Sequence, residues 1–442
     1  MLNINDLEWP GIKFIDPSCR TGRYKKKFYK AFLPCAKDIL LDFKNKKILE
    51  TLYAENLIPE TTKSKIKVDG FIEIYRQKTE NYNVKSKYWP TTLSKEACLA
   101  YIKLNQTLLK YGYGCIDGHT NNFIIQRNSK PLWCDIGSFI PTNNYPYIGL
   151  NEFIKCMLYP LILRSQGEIF DPLMREALDG KIPINLMKKV TGVDIAYAGT
   201  RENILKHLEN FTNTLTFDWK KTTWSEYYTD ENISQSFNIN NCRAINWKNE
   251  PRKLVISRLL KILNPKTVID LGSNAGVFSI MAATNGAEVL SVEPDDAAAC
   301  KFLKNIQNKD KGIKIKIMVD KVGNGHEKRG ELALALALTH HMFFTHEYRL
   351  PIIARELASH TSNSLITEFM PMGLGKLKPI PDPLPENYNL TILTNELTKY
   401  FKNVEIIDYD MPKNRAKRIL ILCTNKISDS ALRKIKPEIR PT

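Results

Sequence analysis

A short turn rich in small residues separates two acids in the second half of the chain. Asp270 opens the run "DLGSNAG", in which Gly272 and Gly276 follow an apolar, strand-like segment. Glycine is needed where the backbone turns tightly and lets a ligand approach without an obstructing Cβ. Glu293 stands 17 positions after Gly276, at the end of the next strand-like segment, "AEVLSV". A carboxylate there can accept hydrogen bonds from both ribose hydroxyls of an adenosine that lies across the strand ends.

Two nucleotide ligands compete for a turn of this kind. A dinucleotide site requires Gly-x-Gly-x-x-Gly, so that the pyrophosphate can approach the backbone. Asn274 stands at the second glycine position and Val277 at the third, so this fingerprint is absent. An acid beside the turn suits a ligand with an amino group and a sulfonium, and the pattern therefore predicts S-adenosylmethionine. A turn that only connects a strand to a helix is the alternative.

Side chains able to remove a proton follow two later apolar segments. His340 and His341 come directly after "LALALALT", and Glu368 ends "SLITEF". Methyl transfer depends mainly on aligning the acceptor with the donor, and a hydroxyl acceptor must also lose its proton. Ligands of α/β sheets lie outside the carboxyl ends of the strands. We therefore predict that one histidine is the base and that Glu368 orients it or binds substrate, unless the histidines only shape the pocket.

A different chemistry is indicated near residue 120. Asp117 precedes Asn122 by five positions, and Asp135 follows after thirteen more. This spacing resembles protein kinases, in which one carboxylate lies beside the acceptor hydroxyl and an amide and a second carboxylate hold Mg²⁺. The resemblance implies that Asn122 and Asp135 are metal ligands. It also implies that Lys30 is the strand lysine and Glu50 its helix partner, with ATP as the bound nucleotide.

The kinase-like pattern also has departures. Cys115 and Ile116 replace the usual His-Arg, and the first 69 residues contain only Gly11 and Gly22. A glycine-rich loop over the phosphates is therefore absent from this part of the sequence. We expect a kinase-shaped region that binds a nucleotide, a glycan or the neighbouring domain without transferring phosphate, and an active kinase is the alternative.

The order of apolar segments predicts the elements that position these residues. Residues 1–195 combine strand-like segments with amphipathic helices, which favours a kinase-like α+β domain. Residues 196–250 are polar and rich in Asn and Thr, and are predicted to be a bridging or cap segment. In residues 251–425 strands and helices alternate, which predicts an α/β domain, Rossmann-like with a mainly parallel seven-stranded sheet. Residues 426–442 are predicted to be a flexible basic tail.

Residues 251–425 resemble class I S-adenosylmethionine-dependent methyltransferases. The segment from "ALALALTHHMFF" to "SLITEFMP", together with "WCDIGSF", is more closely similar to methyltransferases of the nodulation-protein type, in which a kinase-like region comes first. The resemblance spans residues 20–425, but Glu331 stands where the fourth strand usually begins with Asp. It implies that Glu293 binds the ribose and that Asp320 lies near the adenine. The donor's methionine side is assigned to Asp270, Gly272, Ser273, Asn274 and Gly276.

Composition limits the remaining possibilities. The 442 residues are 43% hydrophobic and 25% charged, as in globular proteins of two or three domains. The start of the chain and the apolar runs predict neither a signal peptide nor a spanning helix. Nine cysteines without a C-x-x-C pair indicate neither zinc nor a disulfide framework, so a cytoplasmic protein is expected. The net charge of +17 suggests an anionic partner, such as a nucleotide sugar or a membrane surface contacted peripherally.

The leading hypothesis is methylation of a hydroxyl of a sugar, a glycan or a lipo-oligosaccharide precursor, the acceptor class being implied by the resemblance. A bifunctional enzyme that phosphorylates and methylates a glycan is the first alternative. A non-catalytic scaffold that binds a partner through the kinase-like half is another. A nucleic-acid methyltransferase ranks last, because neither an Asn/Asp-Pro-Pro-Tyr motif nor an aromatic-basic RNA-binding pattern is present.

Overall fold

The structure of the protein is a computed structural model. It describes residues 8, 18–25, 27–78, 84–126, 129–142, 147–167, 171–195, 198–218, 251–307, 313–323, 328–373, 383–409 and 418–428. The chain divides into two compact units, Met1–Lys220 and Lys221–Thr442. Each unit is described by itself below.

Unit 1 begins with an antiparallel sheet and two helices. The strands lie in the order β1-β2-β4-β3, and an isolated bridge pairs Glu8 with Arg23 of β1. Residues at alternate positions of β2 and β4 face a small core that includes Tyr29, Ala31 and Ile74. The elements are β1 (Cys19–Tyr24), β2 (Lys27–Phe32), α1 (Lys37–Asn45), α2 (Ile48–Ala54), β3 (Thr61–Lys63) and β4 (Glu73–Gln77).

The rest of unit 1 is mainly helical, with two short hairpins that carry the kinase-like motif. Strand β5 pairs with β8, and β6 pairs with β7. Tyr101 stacks on Phe153 at 4.9 Å between ring centroids and contacts Trp133, so aromatic packing joins α3 to the hairpins. The elements are α3 (Thr91–Leu109), β5 (Tyr113–Cys115), β6 (Phe123–Ile125), β7 (Pro131–Trp133), β8 (Phe139–Pro141), α4 (Leu150–Phe153), a π-helical turn (Ile154–Leu158), α5 (Tyr159–Ser165), α6 (Asp171–Leu178) and α7 (Ile184–Thr191).

The segment predicted to bridge two domains begins instead with a helix of unit 1. Helix α8 (Arg201–Thr214) packs against α3. Ile204, Leu205 and Leu208 are buried at helical spacing, and Lys95 of α3 donates to the carbonyl of Leu215 at 2.7 Å. An apolar stripe hidden in a polar composition explains this difference from the expected boundary at residue 196. The remainder of the bridging segment, residues 219–250, lies outside the described residues.

Unit 2 contains a seven-stranded mixed sheet in the order β11-β10-β9-β12-β13-β15-β14. All pairs from β11 to β13 are parallel, whereas β15 is antiparallel to both neighbours. The elements are α9 (Pro251–Leu263), β9 (Thr267–Leu271), α10 (Val277–Thr284), β10 (Glu288–Val292), α11 (Asp296–Gln307), β11 (Ile315–Met318), β12 (Gly330–Ala335), α12 (Thr339–Phe344), α13 (Leu350–Ser359), β13 (Thr361–Phe369), α14 (Leu390–Thr398), β14 (Phe401–Ile407) and β15 (Ile419–Lys426). This is a Rossmann-like, mainly parallel seven-stranded sheet, as predicted.

The central strands are buried on both faces, and one of them ends earlier than its sequence suggests. The apolar run "LALALAL" spans residues 332–338, but β12 stops at Ala335. Ala337 has φ +53°, which a strand cannot accommodate. The last three residues of the run therefore form the turn that leads into α12.

The structure bears on the predicted absence of a spanning helix and on the start of the predicted basic tail. The described helices include none that is long and apolar enough to cross a membrane. Strand β15 extends to Lys426, so the predicted tail begins inside the sheet, and residues 429–442 of that tail lie outside the described part.

Candidate functional site

The glycine turn connects β9 to α10 at the carboxyl edge of the sheet. The backbone N–H groups of Gly272 and Ser273 both donate to the carbonyl of Val292, at 2.8 and 3.1 Å. Gly272 and Asn274 have φ of +70° and +49°, a region that glycine and asparagine tolerate best. The turn is thus anchored to the end of the adjacent strand β10. Helix α10 begins directly after the turn, at Val277.

Gly276 is required by packing within the protein. Its φ is +79°, and a Cβ at this position would lie 2.0 Å from Cζ of Phe302 in α11. By contrast, a Cβ on Gly272 would lie at an ordinary 3.4 Å from Cδ1 of Leu338. The two glycines therefore have different roles: Gly276 makes room for an aromatic ring, whereas Gly272 lies beside the turn that precedes α12.

Glu293 follows β10 directly and holds the glycine turn. The N–H of Asn274 donates to its Oε2 at 2.6 Å, and the N–H of Asp295 donates to its Oε1 at 2.9 Å. Only 4% of the residue is exposed. Burial raises the pKa of Glu293 to about 7, although the two N–H donors oppose this. Each oxygen retains a further lone pair, so the carboxylate can also accept a ligand hydroxyl.

Asp270 ends β9 beneath the same turn. Its Oδ2 accepts the hydroxyl of Ser279 at 2.6 Å, and that hydroxyl also contacts the Ser291 hydroxyl at 2.9 Å. Burial raises the pKa of Asp270 to about 6, against the opposing effect of the Ser279 bonds and of Arg252. The acid is therefore ionised at neutral pH and oriented by the first turns of α10.

Two further residues that the resemblance assigns to the methyl donor are Asp320, after β11, and Ser273, in the glycine turn. Asp320 follows β11, is 7% exposed and accepts the N–H of Lys321 at 2.9 Å. The Ser273 hydroxyl is buried and makes no hydrogen bond. A buried hydroxyl without a partner at the tip of a binding turn is suited to a ligand.

The histidine pair lies at the point where the strand order reverses. Strand β9 lies between β10 and β12, and the strand order continues from β10 in one direction and from β12 in the other. The glycine turn after β9 and the start of α12 after β12 therefore flank the crevice between these two strands. His340 is 4% exposed, its Nδ1 has no hydrogen-bond partner, and its ring lies 4.0 Å from that of His341. Burial, His341 and Arg418 together lower the pKa of His340 to about 3.

Glu368 is buried and engaged by arginines. Arg252 forms a fork with the carboxylate, Nε to Oε1 at 2.6 Å and Nη2 to Oε2 at 2.7 Å. Arg418 approaches Oε2 at 3.5 Å. The described contacts of this carboxylate thus join it to guanidinium groups and to the N–H of Ala337, rather than to a histidine. Two cations thus compensate the burial of Glu368, and its expected role of orienting the base or binding substrate stays a prediction.

Arg252 is a residue that the sequence did not single out. Its guanidinium lies 4.9 Å from the ring centroid of Phe278 as well as on Glu368. Helix α9 contains several basic residues, and pairing across 116 positions leaves no local signal. Helical periodicity placing Arg252 one turn before the buried Ile256 was the only hint.

Unit 1 brings Lys30 of β2 to Asp135, directly after β7. The two side chains are buried and their Nζ and Oδ1 atoms are 2.7 Å apart, and Lys30 also donates to Thr21 at 2.8 Å. Burial alone would lower the pKa of Lys30, but attraction by Asp135 outweighs it and raises the pKa. Glu50 lies exposed on α2, and the described contacts of Lys30 do not include it.

Asp117 and Asn122 lie in the segment between β5 and β6. The Asn122 side chain donates to the carbonyl of Asp117 at 3.4 Å. Burial and the neighbouring Asp117 raise the pKa of Glu152, at the start of the helices, to about 7. Within the described ranges, no three His, Cys, Asp or Glu side chains are grouped to hold a metal ion. The structure thus gathers Lys30 with Asp135, and Asp117 with Asn122.

Comparisons with known proteins bear on unit 2. A family model described as "Tellurite resistance protein TehB" matches residues 250–418. A search of curated proteins gave no match. Unit 2 therefore contains a TehB-like methyltransferase domain, which agrees with the strand order of its sheet.

Three solved structures illustrate the structural likeness. Magnesium protoporphyrin IX methyltransferase (ChlM) from Synechocystis PCC 6803, with bound SAH, shares 18% identity at a TM-score of 0.32, covering 46% of this chain and 97% of that one. The bifunctional kinase-methyltransferase WbdD shares 16% at 0.31, covering 41% of this chain and 40% of that one. TehB from Haemophilus influenzae shares 16% at 0.31, covering 45% and 67%. The fold assignment rests on the strand order and the family match.

Proposed function

We propose that unit 2 transfers a methyl group from S-adenosylmethionine to a hydroxyl of a sugar, a glycan or a lipo-oligosaccharide precursor. The observation that carries the donor assignment is the meeting of the glycine turn and α12 at the reversal of strand order, where Gly272 lies against Leu338. Ligands of open α/β sheets bind at such a crevice. The buried, unpartnered hydroxyl of Ser273 fits a ligand at that place.

Three acids of unit 2 are suited to hold the donor. Glu293 accepts the ribose hydroxyls with the lone pairs that the backbone amides leave, and Asp320 lies on the adenine side. Asp270 contributes a negative charge above about pH 6, next to the site expected for the positive methionine end. When bound, S-adenosylmethionine supplies the methyl group on a positively charged sulfur.

His340 and His341 are proposed to handle the proton that methylation of a hydroxyl releases. His340 is neutral at physiological pH because its pKa is about 3, which makes it a poor store for a proton. We therefore assign it the orientation of the acceptor oxygen, to which a neutral imidazole N–H can donate. His341, whose ring lies 4.0 Å from that of His340, is assigned the removal of the hydroxyl proton that the methylated oxygen loses.

The choice of acceptor class rests on the family resemblance and on the charge of the chain. A sugar hydroxyl is implied by the resemblance to nodulation-type methyltransferases, and the net charge of +17 favours an anionic carrier such as a nucleotide sugar. The proposal therefore commits to a sugar or glycan hydroxyl and leaves the carrier to the experiment.

A donor titration followed by a mass-shift screen tests the proposal. S-adenosylhomocysteine should bind the full chain by calorimetry, and S-adenosylmethionine should add 14 mass units per methyl group to a member of a panel of glycans and nucleotide sugars (roughly the mass of one CH₂). His340→Ala together with His341→Ala should retain the affinity for S-adenosylhomocysteine and lose turnover about 100-fold or more. His207→Ala, in α8 of unit 1, is the matched histidine control.

Three results would contradict parts of the proposal. Absence of S-adenosylhomocysteine binding would leave the scaffold hypothesis, in which unit 2 is not catalytic. Full turnover in the double histidine variant would remove the assigned roles of His340 and His341. Methylation of nucleic acid in place of sugars would replace the acceptor class.

A second activity is favoured by one observation in unit 1. Lys30 and Asp135, 105 positions apart, meet at 2.7 Å, and the strand order places Lys30 at the centre of the sheet. The pair brings a cation for phosphate beside a proposed metal-binding acid, although Lys30 contacts Asp135 here and not the helix glutamate with which the lysine of active kinases pairs. The second candidate is therefore a bifunctional enzyme that also phosphorylates the glycan.

Labelled ATP separates the two candidates. If unit 1 is an active kinase, glycans of the same panel should acquire label with the wild-type chain, and Asp117→Asn and Asp135→Ala should each abolish it. Binding of ATP without transfer of label would support a kinase-shaped binding unit. Asp38→Asn, an exposed acid of α1, is the control for the loss of a carboxylate.

A further inference from the structure

Arg252 and Glu368 form a bidentate ion pair at the carboxyl end of β13. Its two N–O distances are 2.6 and 2.7 Å, and the Glu368 side chain is fully buried while 20% of that of Arg252 is exposed. A bidentate arginine–carboxylate contact fixes the orientation of both groups, which a lysine cannot do.

Glu368 holds the turn that leads into α12 from both sides. Its Oε2 accepts the N–H of Ala337 at 2.8 Å, and its carbonyl accepts the hydroxyl of Thr339 at 2.5 Å. Ala337 has φ +53°, a conformation that an L residue keeps only where neighbouring contacts maintain it. Because α12 begins at Thr339, the orientation of His340 follows from this turn.

Arg252 also contacts the donor side of the crevice. Its guanidinium carbon lies 4.9 Å from the ring centroid of Phe278. Phe278 is in the first turn of α10, which starts directly after Gly276. Burial dominates the pKa of Asp270, and attraction by Arg252 is among the effects that oppose it. The same arginine thus reaches the glycine-turn side and, through Glu368, the histidine side.

We infer that Arg252 and Glu368 are positioning residues for methyl transfer: the fork fixes the turn before α12, and thereby the orientation of His340, against the helix that follows the glycine turn. The role of His340 in orienting the acceptor hydroxyl rests on the proposed function. Glu368 acts through the turn, and neither residue of the fork contacts the reacting atoms.

The titration of His340 measures this role directly. In wild-type protein labelled with ¹³C-histidine, the His340 signal, assigned by its loss in His340→Gln, should stay neutral down to about pH 4, since its pKa is about 3. Arg252→Gln should release the turn and admit water to the ring, which moves the His340 pKa towards the ordinary value of about 6.5. Arg258→Gln, an exposed arginine of the same helix, is the matched control and should leave the titration unchanged.

Affinity for S-adenosylhomocysteine provides the second readout. Arg252→Gln should weaken binding about tenfold because the α10 side of the site loses its contact, a change of about 1.4 kcal/mol. Glu368→Gln should shift the His340 titration in the same direction, and Arg252→Lys should give intermediate values for both readouts. If Arg252→Gln does not fold, Arg252→Lys and Glu368→Gln decide the question by the same measurements.

The outcomes separate this inference from the proposed function. A folded Arg252 variant whose His340 titrates as in the wild type overturns the positioning role, whatever its ligand affinity. Wild-type protein that does not bind S-adenosylhomocysteine contradicts the donor proposal, while the titration, measured without ligand, still decides whether the fork orients His340.

Discussion

Asp135 in unit 1 and Glu293 in unit 2 are both 4% exposed, yet their charges are compensated by different means. Asp135 is paired with the ammonium of Lys30 at 2.7 Å. Among the described residues, the hydrogen bonds to Glu293 come from the backbone N–H groups of Asn274 and Asp295, and its pKa is raised to about 7. A full positive charge commits a carboxylate to its partner, whereas amide donors leave it responsive to pH and to further hydroxyl groups. Equal burial therefore does not imply equal chemistry.

The largest expected effect comes from removing the cation of the first site. Lys30→Met leaves Asp135 buried without its ammonium, and breaking a buried pair in this way costs about 3–5 kcal/mol. Hydrogen exchange measured by mass spectrometry on unit 1 peptides should report this loss of opening free energy. Lys46→Met, which breaks an exposed pair with Asp42, should cost less than about 1 kcal/mol. Similar small losses in both variants would remove the distinction between the two carboxylates.

The amide cradle of Glu293 depends on the shape of the glycine turn. Gly276→Ala adds a Cβ that would lie 2.0 Å from Phe302 at a φ of +79°. Overpacking and left-handed strain together should destabilise unit 2 by about 3–4 kcal/mol, measured by exchange of its peptides. Gly286→Ala, at φ +97° with no atom within 4 Å of the added Cβ, should cost only about 1–2 kcal/mol. Equal effects would mean that the contact with Phe302 is relieved by movement.

The raised pKa of Glu293 predicts a dependence of stability on pH. Its folded pKa of about 7 exceeds the ordinary 4.5, so between these values the folded state binds more protons than the unfolded state. Glu293 should therefore contribute a fall in unit 2 stability of about 2–3 kcal/mol from pH 5 to pH 8. Asp270, with its raised pKa, adds to this fall, whereas His340, with its lowered pKa, opposes it. Glu293→Gln should remove the Glu293 contribution, read as the difference between the wild-type and variant pH profiles from urea unfolding. Parallel profiles of the two proteins would locate the titrating group elsewhere.

Asp135→Asn is the corresponding control in unit 1 for that pH series. Asp135 is already compensated by Lys30, and this variant leaves Glu293 and its two N–H donors intact. The fall in unit 2 stability between pH 5 and pH 8 should therefore keep its wild-type size.

The glycine turn was easier to predict from the sequence than the contacts that hold it. The end of β9 at Leu271 and the start of α10 at Val277 were readable from local pattern. The reason for Gly276, a ring of α11 in contact with its backbone, depends on packing between segments. Local pattern likewise gave no sign of the partner of Arg252, which is 116 positions away. Tertiary partners of single residues leave no periodic trace in the chain.

Helix α8 was missed for a different reason. Its buried positions at 204, 205, 208 and 212 form a readable stripe, but the Asn and Thr around it were interpreted as a linker. Composition over a window was given more weight than spacing within it. The kinase-like role inferred from the spacing of Asp117, Asn122 and Asp135 stays a prediction, and the described partner of Lys30 is Asp135 and not the predicted Glu50.

The smallest expected effect concerns Asp270, whose buried charge is stabilised by a side-chain hydroxyl. The corresponding groups are an ammonium at Asp135 and backbone N–H groups at Glu293. Ser279→Ala removes the hydroxyl that donates to Oδ2 at 2.6 Å, and the pKa of Asp270 should rise above its present value of about 6. Unit 2 should lose about 1–2 kcal/mol at pH 8, where the acid is ionised, and less at pH 5, where it is largely protonated. Ser362→Ala, an exposed serine that donates to the carbonyl of Gly330, should show no such dependence on pH. A loss in Ser279→Ala of the same size at both pH values would mean that the hydroxyl supports packing and not the charge of Asp270.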